Sequence, residues 1–414
     1  MTTEKPSSTL MIKCIAPALG LGLLVSPDTL VRLGDFTGRT GWPGWILLAG
    51  AMVVFFFLAA AGTGQETHDN PGIWQYVPLT VKLGAAIFLS TGILVSAGFV
   101  FNEIFLYWFP NFGFAFLLLG LVLGIQLMKI QTGLNIQALA VLLTLACVLP
   151  LVIGGMVVQG PVSPALPEQF PGFPVLFFPL MLWIGFDLAG LAPAHADTPN
   201  SEGNNRSNAL GLTIAVSGIL FLAWAVVSAL HVPLDKLSGS TIPHLRAARS
   251  IMGDAGRYLM GGAVIFGTFS AVNALFLACR ISGTTMARNG ALPKTLGKPV
   301  VIPLVLALCI GLMMALGMAG SERLENWIQA VFILWLMTYA AIPARRFKRK
   351  KSPIPALLAI WIAAGSVFLL FSGESPLLTI SYLIIILGVS LAPGLIFTLA
   401  SKQGAPKKHN QPHN

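Results

Sequence analysis

The sequence predicts an all-α protein that crosses a membrane about twelve times. Only 10% of its 414 residues are charged, 55% are hydrophobic and the mean hydropathy is +0.80, whereas a soluble domain carries about 25% charged residues. The apolar residues form long blocks, such as 46–61, 208–230 and 354–371. A block of about 20 apolar residues spans a bilayer as a helix, because a helix satisfies its own backbone polar groups.

Proline, glycine and charged residues divide the apolar blocks into twelve predicted spans. In chain order they are 12–33, 43–62, 80–108, 112–128, 134–158, 173–195, 208–230, 256–280, 299–319, 324–343, 354–371 and 376–400. Polar tails at 1–11 and 401–414 flank them.

The distribution of basic residues predicts the orientation. With twelve spans, one side of the membrane would hold 18 of the 25 lysines and arginines, including both tails and the basic run 344–351. The positive-inside rule then predicts a multi-pass inner-membrane protein with both termini in the cytoplasm. No basic stripe is interleaved with aromatic residues, so the net charge of +10 does not predict a nucleic-acid partner.

The first and sixth spans, which are five spans apart, are heavily interrupted by helix-breaking residues. The first contains Pro17, Gly20, Gly22 and Pro27, and the sixth contains Pro174, Pro179, Gly185, Gly190 and Pro193. Membrane helices also use glycine and proline for packing. Interruptions at corresponding positions of two halves are nevertheless typical of a transporter's solute site, which favours two broken helices here.

Three local motifs resemble one family. The stretch 20–27, Gly-Leu-Gly-Leu-Leu-Val-Ser-Pro, resembles the G-x-G-x4-P stretch in the first helix of the amino acid–polyamine–organocation superfamily. Residues 183–187, Trp-Ile-Gly-Phe-Asp, resemble its aromatic-x-G-x-Glu segment with Asp in place of Glu. Arg280 and residues 286–293, Met-Ala-Arg-Asn-Gly-Ala-Leu-Pro, resemble its cytoplasmic R…M-A-R-D-G-x-L-P signature.

The resemblance is closest to the amino acid exporter and exchanger branches. It implies secondary active transport by alternating access, with broken helices 1 and 6. It also implies a five-helix repeat at 12–158, a second, inverted repeat at 173–343, and two extra helices at 354–400. The loop 197–206 lacks the second proline of the family's E-x-x-N-P-x-R-x-x-P pattern.

Candidate binding residues lie around the two interruptions. Half-helix ends offer free N–H and carbonyl groups to the carboxylate and ammonium of an amino acid. The predicted substrate-binding residues are Gly20, Leu21, Gly22, Trp183, Ile184, Gly185, Phe186, Asp187 and Asn273, with Ser270 in a cation or polar pocket. The alternative for Trp183 and Phe186 is that they face lipid or pack as ordinary aromatics, and the alternative for Ser270 and Asn273 is interhelical hydrogen bonding.

Asp187 is the acid that the sequence places nearest the middle of a span. It follows Gly185-Phe186, where the sixth span is expected to break, so its side chain is predicted to cap the second half-helix. A titrating proton carrier is the alternative.

The predicted function is transport of a small, neutral amino acid, because residues 181–190 are nearly all apolar. The alternatives are a transporter-like receptor or subunit without flux, and a permease for polyamines or other organic cations. No clustered acids or histidines indicate an enzyme, and neither a cofactor nor a metal site is expected. Expected partners are membrane lipids, a coupling proton or sodium ion, and at most a second copy of the chain.

Overall fold

The computed structural model describes residues 6–60, 76–158, 160, 172–192, 201–238, 240–350, 353–373 and 375–403. Every regular element in these ranges is helical. The α-helices are α1 Pro6–Leu24, α2 Pro27–Thr40, α3 Trp42–Ala60, α4 Tyr76–Ile104, α5 Asn111–Gln126, α6 Ile130–Val157, α7 Pro179–Leu182, α8 Ser201–His231, α9 Leu234–Ser238, α10 Pro243–Arg288, α11 Val301–Ala315, α12 Glu322–Lys350, α13 Pro353–Phe371 and α14 Pro376–Gln403. Two 3₁₀ helices, Phe173–Phe177 and Phe186–Leu191, flank α7.

The structure confirms the all-α polytopic fold. Seven of the described helices are long and apolar enough to cross a membrane, and the bent pair α1–α2 forms an eighth candidate span. Four shorter apolar segments, 111–126, 175–191, 301–315 and 376–392, complete the set. Each of the twelve predicted spans overlaps one of these segments. The ends of two predicted spans, at 61–62 and 193–195, lie outside the described residues.

Proline marks the starts of several helices. Pro27, Pro243, Pro353 and Pro376 are the first residues of α2, α10, α13 and α14. Proline has no backbone N–H, and the first helical position does not need one, so these residues end the preceding segment and begin the next.

The centre of the bundle is formed by α10, which packs along both α4 and α6. Two basic residues lie inside these helices. Lys82 is buried in α4, and Arg280 is buried in α10. Arg280 donates to the carbonyl oxygens of Gln126 at 2.6 Å and Met128 at 3.2 Å. It therefore satisfies the free carbonyls at the C-terminal end of α5.

A hairpin, formed by α9 and the first part of α10 up to the kink at Met252–Gly253, covers α2. Two glycines of α2 allow this contact. A Cβ at Gly34 would lie 2.5 Å from Pro243, and a Cβ at Gly38 would lie 2.3 Å from the backbone of Ser238. Between the hairpin and the Ile104 end of α4 is a cavity of about 370 Å³, whose lining includes Arg246, Arg249 and Arg257.

His244 lies on this hairpin, before the kink in α10 and outside the predicted span 256–280, and its burial predicts a pH effect. The side chain is buried, and neither ring nitrogen has a hydrogen-bond partner within the described residues. Burial lowers the pKa of His244 from 6.5 to about 4. A detached hairpin binds the proton below pH 6.5, whereas the packed hairpin stays neutral down to about pH 4. The packing of the hairpin is therefore fully stable above pH 6.5. It weakens as the pH falls from 6.5 to about 4, by at most about 3 kcal/mol.

Hydrogen–deuterium exchange of residues 243–251 measures this effect. After correction for intrinsic exchange, protection is expected to fall between about pH 7 and about pH 5 in the wild type. His244→Phe, which does not titrate, should lose this pH dependence. Equal pH dependence in both proteins would assign the effect to another group.

The division of the chain into two inverted repeats, at 12–158 and 173–343, stays a prediction, as do the boundaries of the two tails.

Candidate functional site

The first span is broken immediately before Pro27. Helix α1 ends at Leu24, α2 begins at Pro27, and the two helices bend by 54°. Ser26 caps α2, because its side chain accepts a hydrogen bond from the backbone N–H of Thr29. The break therefore lies at Val25–Ser26, several residues after Gly20 and Gly22, which are both inside α1.

The sixth span is broken at Gly185. The chain leaves α7 through Trp183, and Gly185 adopts φ +98°, in the left-handed region that favours glycine. The second 3₁₀ helix then begins at Phe186. The N–H of Gly185 donates to the hydroxyl of Tyr339 in α12 at 3.1 Å. The structure thus confirms the two predicted broken helices.

The second break packs against α1, a few residues before the first break. A Cβ at Gly185 would lie 2.4 Å from Cδ2 of Leu23, and a Cβ at Gly20 would lie 3.0 Å from the carbonyl oxygen of Phe186. Leu21 and Ile184, the other predicted site residues of these segments, are also buried. The close approach of α1 to the second break leaves no room for a side chain at Gly20 or Gly185.

An aromatic cluster surrounds the second break. Trp183 stacks on Phe55 of α3 with ring centroids 5.7 Å apart, and Phe186 meets the same ring edge-on at 5.2 Å. Tyr339 packs edge-on against Phe186, and Phe221 packs against Trp183. Trp183 and Phe186 are fully buried, which excludes the alternative that they face lipid in this structure.

Asp187 binds side chains of two other helices. Its Oδ1 accepts hydrogen bonds from the Tyr339 hydroxyl at 2.6 Å and from Nε1 of Trp335 at 3.2 Å. Its Oδ2 lies 3.8 Å from Nζ of Lys82. The cap of the second 3₁₀ helix is Gly185, with no side-chain hydrogen bond. The predicted capping role of Asp187 was wrong, because the carboxylate turns toward α12 and α4.

Ser270 and Asn273 belong to a separate polar network. Asn273 accepts from Gln126 and donates to Gln137, both at 2.8 Å. Gln137 in turn donates to Ser270 at 2.9 Å and to the carbonyl oxygen of Ala18 in α1 at 3.1 Å. These fully buried residues connect α1, α5, α6 and α10. In this structure both side chains form interhelical hydrogen bonds, which was the alternative for them. Their role in solute or cation binding stays a prediction.

Gly22 packs against this network. A Cβ at Gly22 would lie 2.0 Å from Nε2 of Gln137 and 2.7 Å from Oγ of Ser270. The structure therefore gives Gly22 a packing role between α1, α6 and α10. A bulky side chain at Gly22 is therefore expected to disrupt this packing.

Residues 286–293 lie at the end of α10, beside the start of α4. The Tyr76 hydroxyl donates to the carbonyl oxygen of Ala291 at 2.8 Å, and Tyr76, Leu79 and Met286 form a small apolar cluster. The motif that carried the most specific resemblance therefore anchors α10 to α4. Of the loop 197–206, residues 197–200 lie outside the described residues, and Arg206 lies in α8.

The sequence interpretation missed Lys82, Trp335 and Tyr339. Signals for them existed. Lys82 is the one basic residue of the predicted span 80–108, and ionisable residues inside a span are functional candidates. Trp335 and Tyr339 are four residues apart on α12, so they lie on one helix face. Their proximity to Asp187, however, depends on the tertiary packing.

Comparison with known proteins supports the fold. No protein-family model and no curated protein sequence matches the chain. Two solved structures are similar over nearly their whole length. Mhp1, a nucleobase-cation-symport-1 family transporter with bromovinylhydantoin bound in a closed conformation, is 15% identical, with 94% of this chain and 93% of that chain covered and a TM-score of 0.55. A manganese transporter of Eremococcus coleocola, in complex with an aromatic bis-isothiourea substituted compound, is 11% identical, with 97% of each chain covered and a TM-score of 0.58.

The chain therefore has a fold that is found in membrane transporters. Identities this low establish the fold alone, and the solutes of the two transporters differ in chemistry. The substrate of this chain must be inferred from its own residues.

Proposed function

We propose that the chain is a secondary active transporter that moves a small, neutral amino acid across the inner membrane by alternating access. The observation that carries the proposal is the contact between two broken helices at Leu23 and Gly185, beside the buried charges of Asp187 and Lys82. Broken helices within a bundle expose backbone polar groups that can bind a solute away from water. The fold, shared with known transporters, supports the same reading.

Alternating access requires elements that can move relative to one another. The bent pair α1–α2 and the segment 173–191 contain the breaks, and both pack against helices α3, α8 and α10. Hinges at Ser26 and Gly185 would let one half of each span move while the other stays packed. The positive-inside distribution supports an orientation with both termini in the cytoplasm.

A polyamine is the weaker candidate. A polycation needs several carboxylates, whereas Asp187 already faces the ammonium of Lys82. Adding a second cation beside Lys82 would introduce like-charge repulsion in a site of low dielectric.

Counterflow in proteoliposomes tests the function. Vesicles loaded with an unlabelled amino acid should accumulate external radiolabelled leucine, methionine or alanine. Vesicles loaded with unlabelled putrescine should accumulate no external radiolabelled putrescine. Counterflow requires no driving ion, so it is independent of the coupling mechanism. Binding of these amino acids without accumulation would identify a receptor, and robust putrescine counterflow with no amino acid exchange would refute the proposed substrate.

A further inference from the structure

Lys82 and Asp187 are two opposite charges buried inside the membrane-spanning bundle. Their side chains are only 8% and 12% exposed. Lys82 belongs to α4, whereas Asp187 follows the break at Gly185, so the pair connects a long, regular helix to an interrupted one. Burying such a pair rarely adds net stability, because desolvation of both charges opposes their attraction. Ionisable residues at this depth are therefore better explained by function.

The pair is not closed into a direct hydrogen bond. The distance of 3.8 Å between Nζ of Lys82 and Oδ2 of Asp187 exceeds the 2.7–2.9 Å that is typical of charge-assisted hydrogen bonds, by about 1 Å. The orientation of the carboxylate is nevertheless defined, because Tyr339 and Trp335 both donate to its Oδ1. The other oxygen is thereby directed at the ammonium.

We infer that this pair recognises both charges of a zwitterionic solute, with Lys82 binding its carboxylate and Asp187 Oδ2 binding its ammonium. This inference rests on the proposed function and assigns its substrate selectivity to two residues. The two residues carry opposite charges side by side, as does an α-amino acid. The solute would enter in the antiparallel orientation, so that each of its charges meets the opposite charge of the protein.

Charge balance explains the selectivity. The pair has no net charge, and a zwitterion adds none, so the four charges compensate one another in a site of low dielectric. The ammonium of Lys82 would repel a cationic amine, and the carboxylate of Asp187 would repel an anionic carboxylate. The site therefore discriminates by net charge, while the aromatic cluster of Phe55, Trp183 and Phe186 would contact the side chain of the solute.

Three compounds with one carbon skeleton test the inference. L-leucine carries both charges, leucinamide carries only the ammonium, and 4-methylpentanoate carries only the carboxylate. Their binding to the purified full-length protein is measured by thermal stabilisation. The wild type is expected to bind L-leucine at least about tenfold more tightly than either analogue. Equal affinity for one of the analogues would overturn the inference without any variant.

Two single variants then separate the charges. Lys82→Met should weaken L-leucine binding by at least about tenfold and make leucinamide the preferred compound. Asp187→Asn should weaken L-leucine binding by a similar factor and make 4-methylpentanoate the preferred compound. Lys82→Arg keeps the cation and should keep the preference for L-leucine.

The outcomes distinguish this inference from the proposed function. If the wild type exchanges leucine, and both folded variants keep its affinity and order of preference, the pair only joins α4 to the interrupted segment and the inference is wrong. If the wild type neither exchanges nor binds any neutral amino acid, the proposed function itself is wrong.

Discussion

Gly22→Val is expected to prevent the protein from folding. A Cβ at this position would lie 2.0 Å from Gln137 and 2.7 Å from Ser270. Gln137 can move away only by breaking its hydrogen bonds to Ala18, Ser270 and Asn273. Overpacking a core costs about 1–3 kcal/mol, and each buried polar group left unpaired costs a similar amount. The sum is a large fraction of the stability of a typical domain.

The yield of monodisperse protein after extraction in mild detergent measures this effect. Gly50→Val is the matched control, because it makes the same change in the apolar helix α3, at an exposed position with no atom within 4 Å of the added Cβ. Gly50→Val should give a yield close to that of the wild type. Normal yield of Gly22→Val would mean that α1 is not held against α6 as the structure shows.

Tyr339→Phe is expected to preserve the fold and to lose most of the transport. The ring of Tyr339 remains packed against Phe55 and Phe186. The lost hydroxyl is the one that donates to Asp187 at 2.6 Å and accepts from the N–H of Gly185 at 3.1 Å. Its removal leaves the break and the carboxylate less firmly positioned, so leucine counterflow should fall by at least about tenfold.

A matched control for this variant is Tyr258→Phe, because Tyr258 is 54% exposed and its ring packs on Phe105. Tyr258→Phe should retain wild-type counterflow at equal protein density in the vesicles. If Tyr339→Phe also stays within about twofold of the wild type, the hydroxyl does not position the site.

Much of the fold could be predicted because membrane helices leave a strong local signal. Apolar blocks of spanning length are visible in the sequence, and each predicted span overlaps a helical segment. The second break was also visible, since a glycine such as Gly185 permits the positive φ that other residues avoid. The hairpin over α2 was missed, because α9 has only five residues and the first part of α10 is less apolar than a span.

The site could be predicted only in part. Residues close in sequence, such as Trp183, Phe186 and Asp187, were selected correctly as neighbours of the break. The partners of Asp187 could not be selected from the sequence, because Lys82 is more than 100 positions away from it and Tyr339 is 152 positions away. Asp187 shows the consequence: local propensity predicted a helix cap, whereas tertiary contacts with α4 and α12 determine where its carboxylate lies.

The structure of the protein in lipid nanodiscs, with the neutral amino acid that gives the strongest counterflow bound to it, tests the central proposal most directly. We expect density for the amino acid between the break at Ser26 and the break at Gly185, with its carboxylate at Lys82 and its ammonium at Asp187. Density only in the cavity beside Arg249, at the Ile104 end of α4, or a solute that contacts neither break, would contradict the proposed site.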